Sequence, residues 1–195
     1  MKNAILIHGT NDTKADYFKE ISAYGSKANT LWYPWLAQQL EKLGFSFVFP
    51  SLPSPWDSDV DYDEWSNELD KISIGVDTLL IGHSWGAGFI LKYLALHPNI
   101  NIGQLVMIAP SCDPIKKCGN FMNRWDSDKC LHNRIKSIDL LYSTDDKNPN
   151  VSPSVEKIKK LFANKSNFRI YKFDNKGHFV SKVGNQLPEL LQIIR

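Results

Sequence analysis

Short, unbroken apolar runs recur along this chain, and the stretches between them carry apolar residues at helical spacing. Residues 4–7, 45–49, 78–81, 105–109, 140–142 and 168–173 read as six strands, mostly of the kind buried on both faces of a parallel sheet. Between them, Trp35, Leu36, Leu40 and Leu43 share one face of a helix over 32–43 that Gly44 closes. A second helix is expected from about 86 to 96, stopping before Pro98, and a third over 154–162, where Val155, Ile158 and Leu161 are periodic. Residues 187–194 form the terminal helix. Asp61 with Glu64 three positions on is a capping box for a further helix through Leu69.

Strands alternating with helices at this spacing predict βαβ units. The expected fold is a single α/β domain over residues 1–195, a three-layer αβα sandwich around a mostly parallel six-stranded sheet. No internal repeat or linker divides it. Residues 111–136 are polar and take no assignment. Residues 12–29 are an insertion in which Tyr17, Phe18, Ile21 and Tyr24 fall at roughly helical spacing. It reads equally as a solvated loop or as a small lid whose aromatics cover a pocket.

Composition narrows this only a little. A net charge of +2 is too small to argue for nucleic acid or an anionic membrane as partner. Cys112, Cys118 and Cys130 are an odd count in one polar stretch, which fits reduced thiols and a cytoplasmic location better than a disulfide framework. The apolar start is about half a signal-peptide core and reads as a strand, and no run reaches transmembrane length.

The chemistry lies in the loops that leave the strands. Gly82-His83-Ser84-Trp85-Gly86 is G-x-S-x-G between an apolar strand and a helix, the setting in which a serine projects its hydroxyl from a sharp turn. Asp145-Asp146 follows the fifth strand and His178 the sixth. Serine, acid, histidine is the chain order of the α/β-hydrolase triad. Serine needs a base within hydrogen-bond reach, histidine titrates near neutrality, and a carboxylate fixes the imidazole tautomer. An oxyanion would be held by the backbone N–H of Trp85, directly after the nucleophile, and by that of Thr10 in the loop His8-Gly9-Thr10-Asn11. His83 is expected to be structural and His8 to order the oxyanion loop through a side-chain hydrogen bond.

From His8-Gly9 onward, these residues resemble the YdeN / retinoblastoma-binding-protein-9 group of small serine hydrolases. The matching marks are Trp32-Tyr33-Pro34-Trp35-Leu36, Gly-His-Ser at the elbow, Ser143-Thr144-Asp145-Asp146, and Gly177-His178-Phe179. The resemblance implies a minimal α/β-hydrolase fold without a large cap domain, with Asp146 the triad acid and Asp145 its neighbour. Two departures stand out: residues 147–153 are longer than that group's usual turn, and 12–29 exceed its usual loop.

Metal readings are weak. Asp57, Asp59, Asp61, Asp63 and Glu68 fall at calcium-loop positions, but Tyr62 stands where glycine is required. Cys112, Cys118, Cys130 and His132 lack a paired C-x-x-C. The expectation is therefore a cofactor-free serine hydrolase acting on small or short-acyl esters, with thioesters, amides or transfer to another acceptor using the same residues. Without a cap the site should be shallow, narrowed by Trp85 and, if its loop folds back, by Trp56. The alternative is a weakly active or inactive hydrolase-fold protein that serves as a protein-binding module.

Overall fold

The computed structural model describes residues 2–56, 59–112 and 121–194. Six strands form one sheet: β1 (Asn3–Ile7), β2 (Ser46–Val48), β3 (Thr78–His83), β4 (Ile102–Ile108), β5 (Ile135–Ser143) and β6 (Phe168–Phe173). Their order is β2-β1-β3-β4-β5-β6, and every neighbouring pair is parallel. The helices that pack around the sheet are α1 (Lys14–Tyr24), α2 (Tyr33–Lys42), α3 (Tyr62–Asp70), α4 (Trp85–Leu96), α5 (Val151–Leu161) and α6 (Glu189–Ile193). No large cap domain stands among the described residues.

The chain steps outward from β1 to β2, crosses back to β3, and then adds strands only on the other side. Strand order therefore reverses between β1 and β3, and in open parallel sheets the crevice outside the carboxyl ends at that point is where ligands bind. The loop after β1 and the turn after β3 meet there. All six residues of β3 are buried, and α4 is buried from Trp85 through Leu94, as a helix apolar on every side must be.

The turn between β3 and α4 is very tight. A Cβ on Gly86 would stand 2.2 Å from the carbonyl oxygen of Ile7, and one on Gly82 would stand 2.4 Å from Ala87 Cα. Both obstacles are backbone, so neither can swing aside. Gly86→Ala is expected to destabilise the protein by about 3 kcal/mol or more, because the end of β1 must move. Urea unfolding measures this, and an unchanged midpoint would contradict the packing.

Several expectations shift. β5 begins at Ile135 and not at 140, because Asp139 breaks the apolar run without ending the strand. Its carboxylate is fully buried and accepts hydrogen bonds from Arg169 Nε at 2.8 Å and Gln104 Nε2 at 2.8 Å. β4 likewise starts earlier, at Ile102. α5 begins at Val151, since Pro153 lies in its first turn, where no N–H is needed. α6 is shorter than its pattern and spans five residues. The polar stretch 111–136 contributes to the core: Phe121, Met122, Trp125 and Leu131 are buried. Asp61 caps α3, accepting from Glu64 N–H at 3.0 Å. Cys112 is buried and Cys130 exposed; Cys118 and Asp57 lie outside the described residues.

Candidate active site

Ser84 sits at the apex of the β3–α4 turn with φ 55° and ψ −120°. This conformation costs a non-glycine residue roughly 1–3 kcal/mol and persists only where its surroundings enforce it. Here they do. Ser84 N–H donates to Ile108 O at 2.9 Å, and Ser84 O accepts from Ser111 N–H at 3.0 Å. Both bonds tie the turn to the end of β4. On the β1 side, a Cβ on Gly9 would come within 2.9 Å of Ser84 Cβ, so the loop after β1 lies directly against the serine.

The loops after β3, β5 and β6 bring Ser84, Asp146 and His178 together. Ser84 Oγ is 2.9 Å from His178 Nε2, and His178 Nδ1 is 2.7 Å from Asp146 Oδ2. A carboxylate can only accept, so Nδ1 carries the ring proton and Nε2 is left to accept from the serine hydroxyl. The Asp146 side chain is 3% exposed. Its other oxygen accepts the N–H of Asn148 at 2.9 Å, which anchors it within the long loop after β5.

Asp145 faces elsewhere. Its carboxylate accepts from Ser143 Oγ at 2.6 Å, from Gly177 N–H at 2.9 Å and from Lys182. The Lys182 ammonium and these hydrogen bonds hold its carboxyl well below the usual range. It ties the β5 loop to the β6 loop, one residue before the histidine.

The histidine loop is held from below by residues whose part the sequence did not disclose. His83 Nε2 donates to the carbonyl oxygen of His178 at 2.9 Å, which obliges His83 Nδ1 to accept from Tyr33 Oη at 2.8 Å. Trp32 Nε1 donates to Phe179 O at 2.9 Å. Trp32 and Tyr33 lie in a conspicuous aromatic run at the start of α2, but the run gives no sign of what the indole and phenol reach. His83 thus links β3 and α2 to the backbone of His178 through both ring nitrogens. His8 Nδ1 donates to Gly9 O at 2.7 Å, and its ring stacks on Phe49, which orders the loop after β1 as anticipated.

Burial lowers the pKa of both rings, His83 to about 3 and His8 to about 4. Each is therefore neutral in the folded protein at pH 5, while an unfolded histidine, with a pKa near 6.5, is mostly protonated there. The unfolded state binds more protons between the folded and unfolded pKa values, so stability must fall as pH drops through that window. From pH 7 to pH 5 the two rings together should cost on the order of 4 kcal/mol. Urea titrations at the two pH values check this, and equal stability at both would contradict it.

Two cavities open onto Ser84. The first, about 540 Å³, is walled by Leu31, Tyr33, Val180 and one face of α1, including Glu20, Ala23 and Tyr24. The second, about 600 Å³, is walled by Asp12, Trp85 and residues 147–150. Thr10, Ser84 and His178 border both. Each volume is within the range of pockets that enclose small ligands. The 12–29 insertion forms a helix, and that helix supplies a cavity wall. Its aromatics divide: Tyr24 faces the cavity, whereas Tyr17 and Phe18 pack on Trp56 at 5.3 and 6.1 Å between ring centroids. Trp56 borders neither cavity and does not narrow the site; Trp85 does border the second. Lys27 Nζ reaches Glu20 Oε2 at 2.6 Å and Asn11 Oδ1 at 3.0 Å, clipping α1 to the loop after β1.

Such a sheet, with a serine on a strained β–α turn and an acid and histidine reaching it from later strands, defines the α/β-hydrolase fold. The chain is similar in fold to the ydeN gene product from B. subtilis, which superposes with a TM-score of 0.77 at 18% identity over 100% of this chain and 97% of that one. Mouse alpha/beta hydrolase domain-containing protein 10 (TM-score 0.62, 15% identity, 98% and 86% covered) shares the fold. So does Est1E from Butyrivibrio proteoclasticus with ferulic acid bound (0.62, 13%, 100% and 90%). No protein-family model matches the sequence, and no curated protein does. Among the described residues no helix is long and apolar enough to cross a membrane.

Proposed function

We propose that this protein is a serine hydrolase that cleaves carboxylic esters of small or short acyl groups through an acyl-enzyme. The observation that carries this reading is the continuous hydrogen-bonded path of 2.9 Å from Ser84 to His178 and 2.7 Å from His178 to Asp146, at the mouth of two ligand-sized cavities. Ser84 Oγ attacks the ester carbonyl while His178 Nε2 takes its proton. The backbone N–H groups of Thr10 and Trp85 stabilise the oxyanion, each worth about 3 kcal/mol in the transition state. As the C–O bond to the alcohol breaks, His178 returns the proton to the departing oxygen. His178 then deprotonates a water that attacks the acyl-serine, which releases the acid and restores the Ser84 hydroxyl. Asp146 keeps the imidazole in the productive tautomer and stabilises the imidazolium in both halves. No step calls on a cofactor.

A fluorophosphonate probe tests the reading directly, because it reacts only with an activated serine. Covalent labelling of wild type, absent from Ser84→Ala, is expected. A well-folded wild type that does not label would leave the chain a binding module on a hydrolase scaffold.

A further inference from the structure

The two cavities that meet at Ser84 differ in chemistry, and the difference assigns the two halves of a substrate. The first is lined by Ala23, Leu31, Val180 and the rings of Tyr24 and Tyr33, and by charged groups of which Asp16 accepts from Thr13 and Glu20 pairs with Lys27. In the second, Pro149 alone among the described wall residues lacks a side-chain hydrogen-bonding group; Asp12, Lys147, Asn148 and Asn150 supply carboxylate, ammonium and amide groups. We propose that the second cavity receives a polyhydroxylated alcohol, such as a glycerol or sugar unit, and that the first receives the acyl group esterified to it. This deepens, and rests on, the serine-hydrolase reading.

Three observations support the assignment. His178 borders both cavities, so its Nε2 can protonate an alcohol leaving from either one, and polarity has to decide. An apolar acyl chain in the second cavity would cover the amides of Asn148 and Asn150 and return no hydrogen bond, whereas hydroxyl groups there both donate and accept. Among the described residues the wall carries one carboxylate and one ammonium and so no net charge, which suits a neutral polyol better than an anion. Finally, Asn150 is 6% exposed, and its side-chain oxygen has no hydrogen-bond partner among the described residues. Rotation of that amide would turn toward the cavity an acceptor that finds no hydrogen-bond partner among the described residues.

The test uses a matched pair of esters, glycerol 1-monobutyrate and propyl butyrate, which share the acyl group and the three-carbon alcohol and differ by two hydroxyls. Wild type is expected to favour the glycerol ester at least about tenfold in kcat/KM, since a site built to bond hydroxyls discriminates against their loss. Lys147→Met and Asn150→Leu together should shrink that ratio at least about threefold. Should the pair fail to fold, Lys147→Met and Asp12→Asn, both at exposed positions, carry the same expectation. Equal turnover of the two esters, preference for propyl butyrate, or a ratio unchanged in the folded variants overturns the proposal. If neither ester is cleaved while Ser84 still labels with a fluorophosphonate, the polyol assignment falls and the hydrolase reading stands. If labelling fails as well, both fall.

Discussion

Replacing Ser84 with alanine is expected to lower kcat for ester hydrolysis by about 10⁴- to 10⁶-fold, with the fold intact. The size of the effect follows from what the side chain supplies. In the proposed mechanism its oxygen is the atom that becomes acylated, and the imidazole 2.9 Å away serves in the first step only to take its proton. Any residual rate would come from the oxyanion donors and from binding, which the substitution leaves in place. Alanine at φ 55° keeps the same backbone strain, so thermal unfolding should move little. Stopped assays with purified Ser84→Ala read the loss. A variant retaining a tenth of wild-type kcat would place the nucleophile elsewhere.

Asp146→Asn is the second large effect, and its comparison with Asp145→Asn separates two adjacent carboxylates. An amide at 146 would turn an N–H toward His178 Nδ1, or offer a neutral oxygen in place of the charge that stabilises the imidazolium. The expected loss in kcat is about 10⁴-fold at neutral pH. Asp145 touches neither His178 nor Ser84; it joins Ser143, Gly177 and Lys182. Its amide variant can still accept from Gly177 N–H, so a loss of less than about tenfold is expected. Kinetics of the two variants side by side decide the matter. A larger loss at 145 than at 146 would reverse the assignment.

What could be read from the chain without coordinates is what depends on neighbours in sequence. Apolar runs bounded by glycine and proline report strands, because burial on both faces of a parallel sheet demands several consecutive apolar residues. The turn Gly82 to Gly86 reports itself for the same reason: its tightness excludes side chains at two positions a few residues apart. With an acid and a histidine after later strands, that is enough for the fold, the elbow and the chain order serine, acid, histidine.

The tertiary structure decided the rest, because each remaining question concerns groups far apart in the chain. Asp145 and Asp146 have the same side chain, and only the path of the loop after β5 turns one toward a ring 32 residues away and the other toward Lys182. His83 and Tyr33 lie 50 residues apart, and their hydrogen bond exists only once β3 and α2 have packed. Asp139 interrupts an apolar run, and only its buried partners Arg169 and Gln104 show that the strand continues through it. Phe121 and Trp125 sit in a stretch too polar to suggest core, and their burial is a property of what closes over them. The insertion at 12–29 carries a helical period but no sign of which face meets Ser84; a clip from Lys27 to Glu20 and Asn11 sets that. The elbow thus marks, within five residues, where the proposed chemistry is centred. The shape of what enters is set by walls drawn from four separate parts of the chain, which no local pattern brings together.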